Sequence, residues 1–418
     1  MPHSYKYTPI ANKTELAAQY IGKQVQDLPT PALIINRPKF KANCQHMAEN
    51  ASSLDAKFRA HVKTHKTLEG AELQVDGTTN RIVVSTMVEA WNIGQCNKIK
   101  DIHFSLPVVA SSIGQYADFA GQYDGRFSIM VDNIDQIDAL VKYRKSKDSR
   151  IKRWSVLVKV DQGYHRAGLQ VSDQAMDDLI ARILDDETRE HVELFGFYCH
   201  AGNSYSVDSE TSAKSLLIEE IQNVNEAAAI AQKIQPGSPL VLSVGATPTA
   251  HASELLTLEE LSRDLGGIKL RGELELHAGN YPCCDLQQVA TGCVDPINIS
   301  LSVLAEVVST YPERGDVEPG EQLINAGVLA LARETSQIPG FGKVVKPEGH
   351  GDWIVGKLSQ EHGILRPTRE GCEFFPYGAK LRIVPQHACI AAACFPYYFV
   401  VGEDDETIED VWVSFRGW

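Results

Sequence analysis

Short apolar, β-branched runs recur along the first two thirds of the chain and alternate with helix-type segments. After an expected opening helix over 14–22, the run Pro31-Ala-Leu-Ile-Ile-Asn36 reads as a strand. Eight more candidate strands follow, at 58–63, 82–85, 102–105, 127–132, 154–161, 194–200, 240–245 and 274–279. Beyond Ser172, a candidate N-cap, Met176, Leu179, Ile180, Ile183 and Leu184 draw one apolar helix face. Leu217, Ile221, Val224 and Ala228 draw another. Alternation of strand and helix through eight units predicts parallel strands closed into a TIM-like (β/α)8 barrel, an α/β fold; an open doubly wound sheet is the rival.

From about residue 295 the pattern changes to short β-like runs split by Gly, Pro and acidic turns, at 300–310, 322–332, 353–357, 380–385, 397–401 and 411–415. This predicts a second, C-terminal all-β domain, joined by the strand at 31–36. The expected division is a barrel over 38–290 and a β-rich domain made of 1–37 plus 291–418.

A length of 418 residues suits two such domains. The formal charge of −14 argues against a nucleic-acid surface, which needs clustered Lys and Arg. No run approaches the roughly 20 apolar residues of a membrane helix, and residues 1–13 lack the apolar segment of a secretory signal, so no membrane is expected and the expected compartment is the cytoplasm. Nine cysteines without a repeated spacing do not resemble a disulfide framework.

Candidate chemistry begins at Arg59-Ala-His-Val-Lys63. In a strand, the period of two puts Phe58, Ala60 and Val62 on one side and Arg59, His61 and Lys63 on the other. A lysine in a partly dry pocket becomes a nucleophile able to hold an aldehyde as a Schiff base, as pyridoxal 5'-phosphate enzymes require. A surface lysine is the plain alternative. Burial and neighbouring cations such as Arg59 are expected to favour the neutral amine.

Other unusual polar residues also fall at the C-terminal ends of predicted strands, where barrel active sites lie. Asp161 to Gly168, with Arg166, follows the fifth, Tyr198 and His200 end the sixth on a common face, and His277 lies near the end of the eighth. Three loops, Gly202-Asn-Ser204, Gly245-Ala-Thr247 and Gly279-Asn-Tyr281, offer backbone N–H groups and hydroxyls to an anion such as a phosphate ester. Each alone is also an ordinary turn.

In the β-like region, His387-Ala-Cys389 on a strand would point imidazole and thiolate the same way, able to clasp one metal ion. That donor pair favours zinc and leaves open positions for water or substrate, although a buried thiol beside an unrelated histidine is the commoner case.

Taken in order, Leu28-Pro-Thr-Pro-Ala32, Arg59 to Thr67, Tyr198 to Tyr205, Ser243 to Thr249, Gly279-Asn-Tyr281 and His387-Ala-Cys389 resemble the eukaryotic-type D-serine dehydratase family. That family is of the fold-type III pyridoxal-phosphate class shared with alanine racemase and D-threonine aldolase. The resemblance implies Lys63 as cofactor carrier, Arg166 at the phenolate oxygen and His200 on the ring. It implies phosphate contacts from Ser204, Gly245, Thr247, Gly279, Asn280 and Tyr281, and zinc at His387 and Cys389. His277 stands where this class addresses the pyridine nitrogen, with Glu275 either assisting it or pairing with Arg59.

The activity implied is elimination of water from D-serine to pyruvate and ammonia by a homodimer, each barrel mouth closed by the partner's C-terminal domain. Ala60, where proline is frequent, and Ile390-Ala-Ala-Ala-Cys394 depart from the family pattern, which leaves D-serine, D-threonine and 3-hydroxyaspartate open as substrates. An aldolase-type C–C lyase and a non-catalytic cofactor-binding protein are the alternatives.

Overall fold

The computed structural model describes residues 10–146 and 151–418. Residues 1–9, part of the segment expected in the β domain and of the stretch read for a secretory signal, lie outside the described residues, as do 147–150. The opening helix is Lys13–Tyr20, capped by the Asn12 side chain. Strand β1, Ala32–Asn36, leads into the helix Arg37–Ser53, whose first turn the Asn36 side chain caps.

Eight parallel strands then close a barrel. They are β2 (Lys57–His61), β3 (Arg81–Val84), β4 (Asp101–Pro107), β5 (Arg126–Val131), β6 (Trp154–Val160), β7 (Val192–Cys199), β8 (Val241–Val244) and β9 (Glu273–Ala278). All eight expected strands are present. The helix Gln174–Leu184 starts later than Ser172 suggested, with Asp173 in the cap position. Its residues Met176, Leu179, Ile180 and Ile183 are buried against the barrel, as is the Leu217, Ile221, Val224 and Ala228 stripe of the helix Glu210–Ile234. Apolar side chains thus fill the layer between strands and helices, where burial contributes about 25 cal/mol per Å².

The inside of the barrel is different. Arg59, His103, Ser128, Ser243, Glu275 and His277 are all buried there, with only a small apolar cluster of Met130, Leu157 and Tyr198. Arg59 Nε and Nη1 donate to Glu275 at 2.7 Å and Asp101 at 2.6 Å, and Arg81 Nη1 reaches Glu275 at 2.7 Å. Arg59 is therefore not a free cation beside Lys63, as the sequence suggested; two carboxylates neutralise it.

The remaining strands are β10 (Leu301–Tyr311), β11 (Glu321–Ile324), β12 (Gly342–Lys346), β13 (Trp353–Leu358), β14 (Gly363–Pro367), β15 (Lys380–Pro385), β16 (Tyr397–Val401) and β17 (Ile408–Val413). With β1 they form one nine-stranded sheet, ordered β11-β14-β13-β12-β15-β10-β1-β16-β17. β1 is parallel to β16 and antiparallel to β10, so the strand at the front of the chain sits inside the C-terminal sheet. The run expected over 322–332 is a strand only to Ile324, after which the chain turns into the short helix Val328–Leu331. β12 and β14 were not anticipated. None of the nine cysteines is in a disulfide, and no helix among the described residues is long and apolar enough to cross a membrane.

Candidate active site

Beyond the C-terminal ends of the barrel strands lies a cavity of about 350 Å³ lined by His61, Lys63, Ser85, Lys159, Arg166, Tyr198, His200, Tyr205, Thr247, His277 and Gly279. That is a normal size for a small-molecule site. β2 stops at His61, short of the expected end, and Lys63 stands in the turn that follows; Phe58, Ala60 and Val62 are buried in the surrounding layer, while His61 and Lys63 line the cavity.

The turn after Lys63 is fastened by the C-terminal sheet. The Tyr398 hydroxyl donates to the His65 carbonyl at 2.9 Å, and the Phe415 N–H donates to the Lys66 carbonyl at 2.7 Å. Lys66 itself is paired with Glu89 at 2.7 Å. Gly279 packs closely under Lys63: a Cβ there would stand 3.2 Å from Lys63 Cε and 3.3 Å from His61 Cβ, so a side chain would press on the lysine.

Aromatic groups line the floor. Tyr198 stacks on His277, with centroids 3.9 Å apart and planes within 12°. His277 Nδ1 meets Ser243 Oγ at 3.0 Å, while its Nε2 is buried without a protein partner. Ser243 Oγ in turn donates to Glu275 at 2.8 Å, so Glu275, although paired with Arg59 and Arg81, also supports His277 through Ser243. His200 Nδ1 donates to the Gly245 carbonyl at 2.8 Å, which holds the ring flat at the cavity wall. Burial, then the charge of Lys63, Arg166 and Lys159, keeps the His200 pKa well below its ordinary value; burial and the neighbouring His200 and Lys159 do the same to His277. Both rings are neutral at pH 7. Arg166 stands at the exposed rim, its guanidinium 5.8 Å from the Tyr164 ring centre.

The three glycine loops converge, although not every expected donor is free. Gly245 adopts φ +137°, and a Cβ there would lie 2.3 Å from the His277 carbonyl. Its N–H donates to Glu220 at 3.1 Å, so Gly245 permits a close approach of backbones and offers no anion contact through its N–H. Asn280 gives its N–H to Thr247 Oγ1 at 3.0 Å and its side-chain amide to Asp285, leaving Oδ1 without a protein partner. The Tyr281 side chain is turned away: its ring stands edge-on to Phe58 and its hydroxyl faces Cys44 and Gln74. Thr247 lines the cavity, and Ser204 Oγ is buried without a protein partner.

His387 and Cys389 are not on a strand. β15 ends at Pro385, and His387 takes the cap position of the short helix Ala388–Ala391. The two side chains still lie close enough for each to act on the other's charge. Burial opposes both charges, yet the pair stabilises them mutually, pushing His387 up to about 9 and the Cys389 thiol down. Cys389 Sγ lies 3.0 Å from Thr64 Oγ1, so the pair sits beside the Lys63 turn. Among the described residues no third His, Cys, Asp or Glu completes a metal-binding cluster with them.

Two cavity residues escaped the sequence reading. Lys159 is buried, donates to the Val160 carbonyl at 3.1 Å and lies 5.6 Å from the Tyr198 ring centre. Burial lowers its pKa. Tyr205 lines the cavity with Thr247. The first would have been found by counting inward positions along β6, where Ser155, Leu157 and Lys159 alternate with Val156 and Val158.

An eight-stranded parallel barrel with this mouth and an appended antiparallel sheet defines the alanine racemase-like class. Residues 35–262 match the family described as "Alanine racemase, N-terminal domain", and 300–401 match "Putative serine dehydratase domain". The chain is 43% identical to the D-serine dehydratase of Schizosaccharomyces pombe, over 97% of this chain and 96% of that one. It is 40% identical to that of Saccharomyces cerevisiae, over 97% of this chain and 100% of the relative. The D-threo-3-hydroxyaspartate dehydratase of Delftia sp. HT23 is similar in structure, with a TM-score of 0.81, 26% identity and coverage of 95% of this chain and all of that one. A cysteine-to-alanine variant of that enzyme, with the same scores, is described as its metal-free form. The chain belongs to the D-serine dehydratase family of lyases.

Proposed function

We propose that the chain eliminates water from D-serine, giving pyruvate and ammonia after hydrolysis of the enamine product, with pyridoxal 5'-phosphate held at Lys63 and zinc at His387 and Cys389. One observation supports this reading most: the contact between Thr64 and Cys389 sets the candidate metal ligands beside the turn that carries Lys63.

The residues present fit both groups. Lys63 reaches a cavity with a neutral flat imidazole at its wall, and the buried His277 Nε2, Ser204 Oγ and Asn280 Oδ1 have no protein partner. A polar atom buried without a partner costs about 1–3 kcal/mol, so these atoms suit a polar ligand. Thr247 and Ser204 would hold the phosphate, Arg166 the phenolate oxygen and His277 the pyridine nitrogen. When bound, the cofactor supplies an electron sink at Cα and the zinc a Lewis acid at the β-hydroxyl.

Lys63 takes the Cα proton and keeps it within the cavity. His200, uncharged, packs without competing for that proton. A neutral His277 holds a ring nitrogen protonated less firmly than a carboxylate would, which raises the demand for help at the leaving group. His387 and Cys389 would meet that demand by holding the zinc, with Thr64 beside the Cys389 sulfur. The open rim, where Leu106 and Tyr164 are about half exposed, supports a homodimer in which the partner's β domain covers the mouth. The substrate is a small D-amino acid, and the compartment proposed is the cytoplasm.

The test compares D-serine with β-chloro-D-alanine, whose chloride leaves without metal help. Chelation is expected to abolish pyruvate and ammonia formation from D-serine and to spare the chloro substrate. Equal loss of both would make the metal structural, and glycine with acetaldehyde from D-threonine as the main activity would replace the dehydratase reading by an aldolase.

A further inference from the structure

The loop after β9 and the turn carrying His387 and Cys389 belong to the barrel and to the sheet, yet one carboxylate fastens them together. Asp285 is fully buried. Its Oδ1 accepts the Gln288 N–H at 2.9 Å and caps the helix Leu286–Ala290. Its Oδ2 accepts the Ala388 N–H at 2.8 Å and also the side-chain amide of Asn280. Ala388 is the residue between the two candidate ligands, so this bond fixes the backbone from which both side chains project.

Helix capping alone does not account for the arrangement. One oxygen suffices for a cap, and Ser, Thr or Asn would serve without burying a charge. Among the described residues Asp285 has no Lys or Arg salt bridge, and the opposite charge that acts on it most is that of His387. A buried carboxylate without a basic partner is costly unless other groups use its charge. Outer-shell carboxylates that orient a metal-binding histidine or its backbone are a common device for fixing a metal.

We infer that Asp285 is a positioning residue for the metal pair, holding the His387–Cys389 turn against the Asn280 loop so that a divalent cation is retained beside Lys63. The inference rests on the reading that His387 and Cys389 bind such a cation.

The test uses purified holoenzyme and the variants Asp285→Ala and Asp285→Asn. Three quantities are measured: zinc affinity by competition with a chelator of known affinity, visible absorbance of bound pyridoxal phosphate, and kcat and KM with D-serine and with β-chloro-D-alanine. The alanine variant is expected to bind zinc about 10- to 100-fold more weakly, with absorbance and chloro-substrate turnover within about twofold of the parent. The asparagine variant, which keeps an acceptor for Ala388, is expected to fall between. Zinc affinity within twofold of the parent overturns the proposal, as does parallel loss of zinc and cofactor in both variants, which marks a general folding role. Should the alanine variant not fold, the asparagine variant decides on the same measurements. If the parent binds no zinc, or a His387→Ala/Cys389→Ala variant still binds it, the metal reading itself fails and Asp285 loses this role with it.

Discussion

Thr64 Oγ1 stands 3.0 Å from Cys389 Sγ and 3.2 Å from the Gly279 carbonyl, so the residue next to Lys63 touches both the candidate metal pair and the Gly279 loop. Thr64→Val keeps the shape and removes the hydroxyl. Hydrogen bonds to charged groups are worth about 1.5–3 kcal/mol. Turnover of D-serine is therefore expected to fall by about 10- to 100-fold, with weaker zinc retention and little change in cofactor absorbance. Unchanged kcat and zinc affinity in this variant would show that the contact is incidental.

Lys63→Ala is expected to lose the visible absorbance of bound cofactor and all elimination. Lys66 is an unsuitable substitute because Glu89 holds it at 2.7 Å. If the band survives, Lys159 becomes the carrier, as the other lysine lining the cavity.

Glu275 faces two arginines, one of them fully buried. Removing one partner of a buried pair leaves an uncompensated charge and costs about 3–5 kcal/mol. Glu275→Ala should show this loss in urea unfolding of the holoenzyme. A change below about 1 kcal/mol would mean that water or Asp101 alone satisfies Arg59.

The pH dependence of stability should carry a signature of Glu220. Its carboxylate accepts N–H groups from Ala201 at 2.7 Å and Gly245 at 3.1 Å and the Thr249 hydroxyl at 2.9 Å. Burial outweighs these donors and pushes its pKa up to about 7. The native state thus binds this proton more tightly than the unfolded chain does. The stabilising effect is fully present below the ordinary carboxyl range, declines as pH rises from about 4.5 to about 7, and is gone above. The thermal midpoint of Glu220→Gln minus that of the parent should rise with pH across that window. A flat difference would show that Glu220 titrates normally.

The sequence showed the barrel because each strand is a short apolar run whose outward positions pack on helices. It showed Lys63 because Arg59 and His61 share its face, a pattern that an ordinary strand would not bury. Lys159 obeys the same rule but is a single polar residue within an apolar run, and only the inward register of β6 exposes it. Glu220 and Asp285 were illegible for another reason. Each acts on loops far from it in sequence, and neither a helix stripe nor a turn motif shows which backbone groups a carboxylate will meet. The two strands Gly342–Lys346 and Gly363–Pro367 were hidden because glycine, lysine, arginine and proline break up their short apolar runs, although both strands lie inside the sheet. His387 and Cys389 were correctly paired on the wrong element, since β15 stops at Pro385.

The turn bearing the reactive amine takes its last backbone hydrogen bond from Phe415. During synthesis the barrel segments leave the ribosome long before that residue. A nascent chain can therefore own every barrel strand and still lack a finished turn around Lys63, so that turn should set only once the C-terminal sheet has been made and has docked.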